Sequence, residues 1–172
     1  MTIRMRGRSA GPQRAHLERV ADELGLGAVV SFLGTRHDIP ELLSALDLFL
    51  LTSHTEANPV SVLEAMSVGL PVVATRVGSV AESIAEGVTG FLAEPQNTDE
   101  LATHVVRLMQ DQQTAAGMGA VGRESVLRRW SLEQMVRGYE NLIATTYRQK
   151  RASRCRQSSV WRCGISPQRP TV

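Results

Sequence analysis

Apolar residues change their spacing repeatedly along this chain, and each change marks an element. Leu17, Val20, Ala21 and Leu24 recur at helical spacing, which predicts an amphipathic helix from Gln13 to Leu24, stopped by Gly25 and Gly27. A continuous apolar run from Ala28 to Leu33, closed by Gly34, predicts a buried strand. Asp38 and Pro40 are suited to opening a helix that reaches Ala45, with Asp38 as its cap. A second run, Leu48 to Leu51, predicts another strand, and Val72-Val73-Ala74 a third. Between these two, Val60 to Val68 reads as a short helix ended by Gly69.

The pattern continues in the same way. A helix is expected from Ser79 to Glu86, a strand over Thr89 to Ala93, and a helix capped by Asn97 or Thr98 and ending near Gln110. Its inner face would carry Leu101, Val105, Val106 and Met109. A glycine-containing helical segment then runs to Arg129. A last helix spans Ser131 to about Lys150, with Leu132, Met135, Val136, Tyr139, Leu142 and Ile143 as its buried stripe. Thr2 to Met5 is a short candidate strand, and Gly7 through Pro12 a loop. Strands that alternate with helices and read as unbroken apolar runs belong to parallel sheets covered on both faces. The expected fold is an open, doubly wound α/β domain with a mostly parallel sheet.

Residues 53–76 hold the candidate chemistry. A strand leads into a polar turn carrying Glu56, the turn feeds the helix at Val60, and Glu64 lies on that helix. A helix N-terminus presents free N–H groups and a partial positive charge, which suits a phosphate. At 1.5 Å of rise per residue, Glu64 lies roughly 6 Å along the axis from that end. The layout suggests a diphosphate at the helix start, with hydroxyl-bearing groups held on either side by a carboxylate.

The run Glu56-Ala-Asn-Pro-Val-Ser-Val-Leu-Glu64-Ala-Met-Ser-Val-Gly-Leu-Pro-Val-Val-Ala-Thr resembles the donor-binding signature of retaining glycosyltransferases of the GT-B fold (family 4, group 1 type), marked by two glutamates with seven residues between them. The resemblance extends from about Gly7 to Tyr139. It implies a Rossmann-like half of a GT-B fold, the C-terminal donor-binding domain only, truncated at its N-terminus. Residues 1–149 would form this partial donor-binding domain and residues 150–172 a separate tail. The implied reaction is transfer of a hexose-type sugar from a nucleotide diphosphate sugar to an acceptor, with retained anomeric configuration and no metal cofactor. An Asp-x-Asp pair, the metal-chelating mark of the other major glycosyltransferase fold, is absent. The resemblance also implies a partner: an acceptor domain, absent here or supplied by another chain. An arginine and a lysine that neutralise the leaving diphosphate in the family have no counterpart in residues 1–6, so activity of this chain alone is in question.

Carried over residue by residue, the resemblance assigns Glu64 to the ribose hydroxyls and casts Glu56 as the catalytic residue, in contact with the transferred sugar. Ala57, Asn58, Pro59 and Val60 would form the loop whose backbone N–H groups meet sugar and diphosphate, although Pro59 has none to donate. Many relatives carry glycine where Ala57 stands. Thr35 and Arg36 would lie where backbone meets the nucleobase. Plainer readings compete: Glu64 as an exposed helix glutamate, Glu56 as a carboxylate that orders its turn, Asn58 in an Asx-type turn, Arg36 as an ordinary surface arginine. Glu56 and Glu64 as a glycosidase-like pair would have to face one bond, whereas a helix N-terminus separates them. A non-catalytic nucleotide-sugar-binding fragment and a nucleotide-sugar epimerase of the same fold remain alternatives, as does a purely structural interaction domain.

Gly117-Met-Gly-Ala-Val-Gly122 matches G-x-G-x-x-G by letter. That fingerprint functions only between a strand and a helix, and here a polar helical approach precedes it. It is expected to be a coincidental, helix-weakening glycine cluster. His16, His37, His54 and His104 are scattered and form no ligand pair; His54, the one near the site, reads as a loop histidine.

Composition changes this picture only at the C-terminus. The 172 residues are 42% hydrophobic and 21% charged, ordinary for a globular protein. Six basic and no acidic residues fall in 150–172, which leaves the first 149 at −4 from the whole chain's +2. With 4% aromatics and no basic stripe, nucleic-acid binding by the folded part is unsupported. The tail predicts disorder and offers peripheral contact with anionic lipid. No apolar stretch suggests a signal peptide or membrane span, so the expected compartment is the cytoplasm, with any membrane contact at its inner face. Cys155 and Cys163 match no zinc spacing and are expected as free thiols.

Overall fold

A computed structural model describes residues 5–7 and 13–160, with side chains described from 13 to 151. The chain divides into two compact units, Met1–Asp47 and Leu48–Val172.

The first unit contains β1 (Met5–Gly7), α1 (Arg14–Glu23), β2 (Val30–Phe32) and α2 (Ile39–Ser44). β1 and β2 pair in parallel, Met5 opposite Val30 and Gly7 opposite Phe32. The N-terminal strand is thus Met5–Gly7 rather than Thr2 to Met5; residues 2–4, and 8–12 of the expected loop, lie outside the described residues. β2 is shorter than its apolar run because the amides of Val29 and Val30 both donate to the Leu26 carbonyl, turning the chain before the strand begins. Asp38 occupies the N-cap position of α2, and its carbonyl accepts from the Leu42 amide at 3.0 Å. Its carboxylate does not cap the helix, contrary to expectation. Arg36 holds it instead.

The second unit contains β3 (Phe49–Leu51), α3 (Val60–Ser67), β4 (Val72–Thr75), α4 (Val80–Ser83), β5 (Gly90–Ala93), α5 (Thr98–Gln110), α6 (Gln112–Arg129) and α7 (Leu132–Val160). Its sheet runs β3-β4-β5, all parallel, with Phe49 opposite Val72 and Val73 opposite Phe91. Each strand returns through a helix, the βαβ arrangement that parallel pairing requires. Val72, Val73 and Ala74 are fully buried and Thr75 nearly so, so β4 is covered on both faces. One face packs Val73, Phe91 and Ala93 against Leu101 and Leu108 of α5 and Met118 of α6. α3, whose Val62, Ala65 and Met66 are fully buried, packs against β3, β4 and α6. Burying each such large apolar side chain contributes on the order of 1.5–3 kcal/mol.

α3 ends in a Schellman turn: the Leu70 amide donates to the Ala65 carbonyl and the Gly69 amide to that of Met66, with Gly69 at φ +86°. α5 opens as expected at Asn97, whose side chain accepts from the Glu100 amide. α4 spans only four residues, because Ile84 turns extended and the Thr89 hydroxyl accepts from the Ala85 amide. That unwinds the turn expected to reach Glu86.

Three expectations about the C-terminal helices are corrected. The glycine cluster is not incidental. Gly119 and Gly122 are buried inside α6, and a Cβ at Gly119 would lie 1.9 Å from the Gly69 carbonyl oxygen. The missing side chains let α6 approach the end of α3. The stripe on α7 is not buried either: Leu132, Met135, Val136, Tyr139, Leu142 and Ile143 are 45–72% exposed. Periodicity shows which face of a helix is apolar, not what covers it. α7 also continues ten residues past Lys150 to Val160. Residues 151–160 contain neither proline nor glycine, so nothing in the backbone stops the helix there. Residues 161–172, with Trp161 and Cys163, and the side chain of Cys155 lie outside what is described. Among the described residues no helix is long and apolar enough to cross a membrane.

Candidate active site

Parallel strands of an open α/β sheet present ligands at their carboxyl ends, where loops leave for the next helix. In the second unit two such loops meet. Residues 52–59 leave β3 for α3, and residues 76–79 leave β4 for α4. Thr75, at the end of β4, donates its hydroxyl to the Ser53 carbonyl at 2.5 Å. Ser79 donates to the Ala57 carbonyl at 2.5 Å. Between them Gly78 lies at φ +50°, so close to the first loop that a Cβ would stand 1.6 Å from the Glu56 carbonyl oxygen.

Glu56, Ala57, Asn58, Pro59 and Val60 therefore lie on a loop fixed from its side by the β4–α4 turn. The Glu56 carboxylate is half-buried and accepts from the Ser53 hydroxyl at 2.7 Å. Ala57 and Asn58 are exposed and Pro59 is buried at the N-cap of α3, where no side chain caps the helix. Val60 is 59% exposed, although its neighbour two residues on, Val62, is fully buried. Glu64 is one turn beyond Val60 on the same helix face and is half-buried. The second unit thus carries a loop carboxylate, an exposed helix start and a half-buried helix carboxylate in succession along the chain.

Thr35 and Arg36 belong to the first unit, after the left-handed Gly34. Both are exposed. Arg36 grips Asp38 in a two-pronged ion pair, Nε to Oδ1 at 2.7 Å and Nη2 to Oδ2. The hydrogen bonds of that pair raise the Arg36 guanidinium above its usual pKa and hold the Asp38 carboxyl below its own. The ion pair engages two of the five N–H donors of the Arg36 guanidinium within its own unit.

Sequence reasoning missed Ser53, Thr75 and Ser79. A threonine closing an otherwise apolar strand was the available signal, since a hydroxyl buried at a strand end needs a partner. The contacts of His104 were not foreseen either: its ring stacks on Phe91 with centroids 4.6 Å apart and lies 3.9 Å from Glu100. His54 is exposed. Among the described residues, no group of three His, Cys, Asp or Glu is placed to hold a metal ion.

A sequence model of the family described as Glycosyl transferases group 1 matches residues 4–125, well over half the chain and all of the loops above. The chain belongs to the glycosyl transferases group 1 family. It is 36% identical over 132 residues to the N-acetyl-alpha-D-glucosaminyl L-malate synthase of Bacillus anthracis, which covers 77% of this chain and 35% of the relative. It is 33% identical over 131 residues to a GDP-mannose-dependent alpha-(1-6)-phosphatidylinositol monomannoside mannosyltransferase of Mycolicibacterium smegmatis, covering 70% of this chain and 34% of that one. Among solved structures it resembles Anabaena HepE in complex with UDP-glucose, with a TM-score of 0.73, 32% identity, 78% of this chain covered and 38% of the other. The chain therefore spans little more than a third of the length of these relatives, and the fold is that of a GT-B glycosyltransferase over that part.

Proposed function

We propose that this chain forms the donor side of a retaining glycosyltransferase, which moves a hexose-type sugar from a nucleotide diphosphate sugar to an acceptor. The observation that carries the reading is the uncapped N-terminus of α3, entered from a fixed loop bearing Glu56 and followed one turn on by Glu64. Free N–H groups at that end would meet the diphosphate, where negative charge grows as the bond from the sugar's anomeric carbon to its phosphate oxygen breaks. Glu64 would accept hydrogen bonds from the vicinal ribose hydroxyls. Glu56 would contact hydroxyls of the departing sugar, with the backbone of Ala57, Asn58 and Val60 alongside. Thr35 and Arg36 would offer backbone groups to the nucleobase. A nucleotide-sugar donor is supported by the UDP-glucose bound in the HepE structure and by the GDP-mannose dependence of the mycobacterial relative. Acceptor contacts would come from a further domain or a partner chain, in keeping with the share of its relatives that this chain spans.

Calorimetry with UDP, UDP-glucose, GDP and GDP-mannose, run beside a hydrolysis assay, tests the reading. The expected result is saturable binding of at least one nucleotide-sugar, unchanged by EDTA because the diphosphate is met by helix N–H groups rather than a metal. Binding of none of the four would contradict it. Binding with no turnover, even on addition of acceptor, would reduce the chain to a binding module.

A further inference from the structure

We infer that Ser53, Thr75, Gly78 and Ser79 act as a brace that aims the Glu56 carboxylate, making the site distinguish a nucleotide-sugar from the bare nucleotide. The inference rests on the donor-side reading above and deepens it. The brace has three points of attachment to one loop. Thr75, itself buried, holds the Ser53 carbonyl from the end of β4. Gly78 lies against the Glu56 carbonyl with no room for a side chain. Ser79 holds the Ala57 carbonyl. The peptide units of Ser53, Glu56 and Ala57, which flank the Glu56 side chain, are thus met by the end of the neighbouring strand and the loop that follows it. The Ser53 hydroxyl, anchored through its own carbonyl, then donates to the Glu56 carboxylate at 2.7 Å.

The arrangement assigns a different job to each end of the site. The diphosphate is met by the end of α3, whose position is set by the burial of Val62, Ala65 and Met66. The sugar would be met by a loop carboxylate whose hydrogen-bond partner among the described residues is Ser53. A carboxylate that wanders among rotamers contributes less to a neutral hydroxyl partner than one already placed, because its ordering must be supplied on binding. Ser53, Thr75 and Ser79 are therefore positioning residues: the Ser53 hydroxyl touches the Glu56 carboxylate, those of Thr75 and Ser79 hold the Ser53 and Ala57 carbonyls on either side of it, and none need touch the donor.

The test measures affinities for a nucleoside diphosphate and its sugar adduct, UDP against UDP-glucose and GDP against GDP-mannose, in the full chain. Ser53→Ala is expected to weaken binding of the sugar adduct by about tenfold, the scale of a hydrogen bond to a charged group, and to leave the bare nucleotide within about twofold. Ser53→Thr keeps the hydroxyl and restores the preference. In a Glu56→Ala background Ser53→Ala adds nothing, since the two act as one unit. Ser79→Ala, which removes only one attachment and leaves the core untouched, repeats the effect more weakly. Equal loss for nucleotide and sugar adduct would mean a merely structural role and overturn the inference. So would no change in either, or the same Ser53→Ala effect with and without Glu56. If the wild-type chain binds none of the four compounds, the donor-side reading itself fails and takes the brace with it. Intact wild-type preference with unresponsive variants sinks the brace alone.

Discussion

Among the described glycines of the second unit, Gly78 carries the most stringent demand. Its φ of +50° is unfavourable for side chains, and a Cβ there would overlap the Glu56 carbonyl carbon and oxygen, at 2.8 and 1.6 Å. Gly87, at φ +71°, has nothing within 4 Å of its would-be Cβ. The pair separates strain from clash. Gly87→Ala is expected to cost about 1–2 kcal/mol in urea unfolding and to leave nucleotide-sugar affinity alone. Gly78→Ala is expected to displace the Glu56 loop and weaken that affinity at least about tenfold. Equal behaviour of the two variants would remove the close contact from the account. Sequence alone could not show which backbone Gly78 touches, since its partner lies 22 residues earlier. Ser53 and Ser79 escaped notice for the same reason: a single hydroxyl in a polar loop gives no periodic signal. Glu56 and Glu64 could be singled out because their spacing across an expected helix start resembles a family signature.

At the scale of elements, β3, α3 and β4 followed their apolar runs closely because those runs are strong and bounded, whereas α5 buries Leu108 and leaves Val106 of its expected inner face exposed. What periodicity misread was context. The glycines of α6 looked like a defect in a helix and are a packing surface. Gly119→Ala is expected to force α6 away from the Gly69 turn and cost about 1–3 kcal/mol as overpacking. Gly117→Ala, with open space around its would-be Cβ, is expected to gain up to about 1 kcal/mol of helix propensity. Urea denaturation of the two variants checks the opposite signs. The N-terminus of α6 offers a test in pH. The side-chain and backbone hydrogen bonds of Thr114 to Asp111 hold the Asp111 carboxyl below its ordinary 3.8. A depressed carboxylate contributes stability above 3.8, and that share is lost as pH falls through the lower folded value. Asp111→Asn keeps a capping oxygen without the titration. The melting temperature of the variant should therefore fall less steeply than that of the wild type below pH 3.8; parallel curves would contradict the assignment.

For the whole molecule, the outstanding feature is the apolar face of α7. Leu132, Met135, Val136, Tyr139, Leu142, Ile143 and Tyr147 are all exposed, at 45–72%. A stripe of this kind reads in sequence as core, and nothing in the sequence of one segment reveals whether its cover lies in the same chain. The expected outcome is specific. Ile143→Ser should shift the melting temperature by no more than a small surface substitution does, whereas Met66→Ala, in a fully buried site, should cost about 2–5 kcal/mol. A large loss from Ile143→Ser would mean that α7 packs against its own chain after all.

The claim on which the function depends is that Glu64 holds the ribose beside a diphosphate gripped by the end of α3. The most direct measurement compares a nucleoside diphosphate with its 2′-deoxy form, by calorimetry, in the wild-type chain and in Glu64→Ala. The account predicts that the wild type loses about tenfold or more in affinity for the deoxy compound, while Glu64→Ala binds both forms weakly and equally. A wild-type chain indifferent to the missing hydroxyl, or a Glu64→Ala variant that still discriminates, would contradict it.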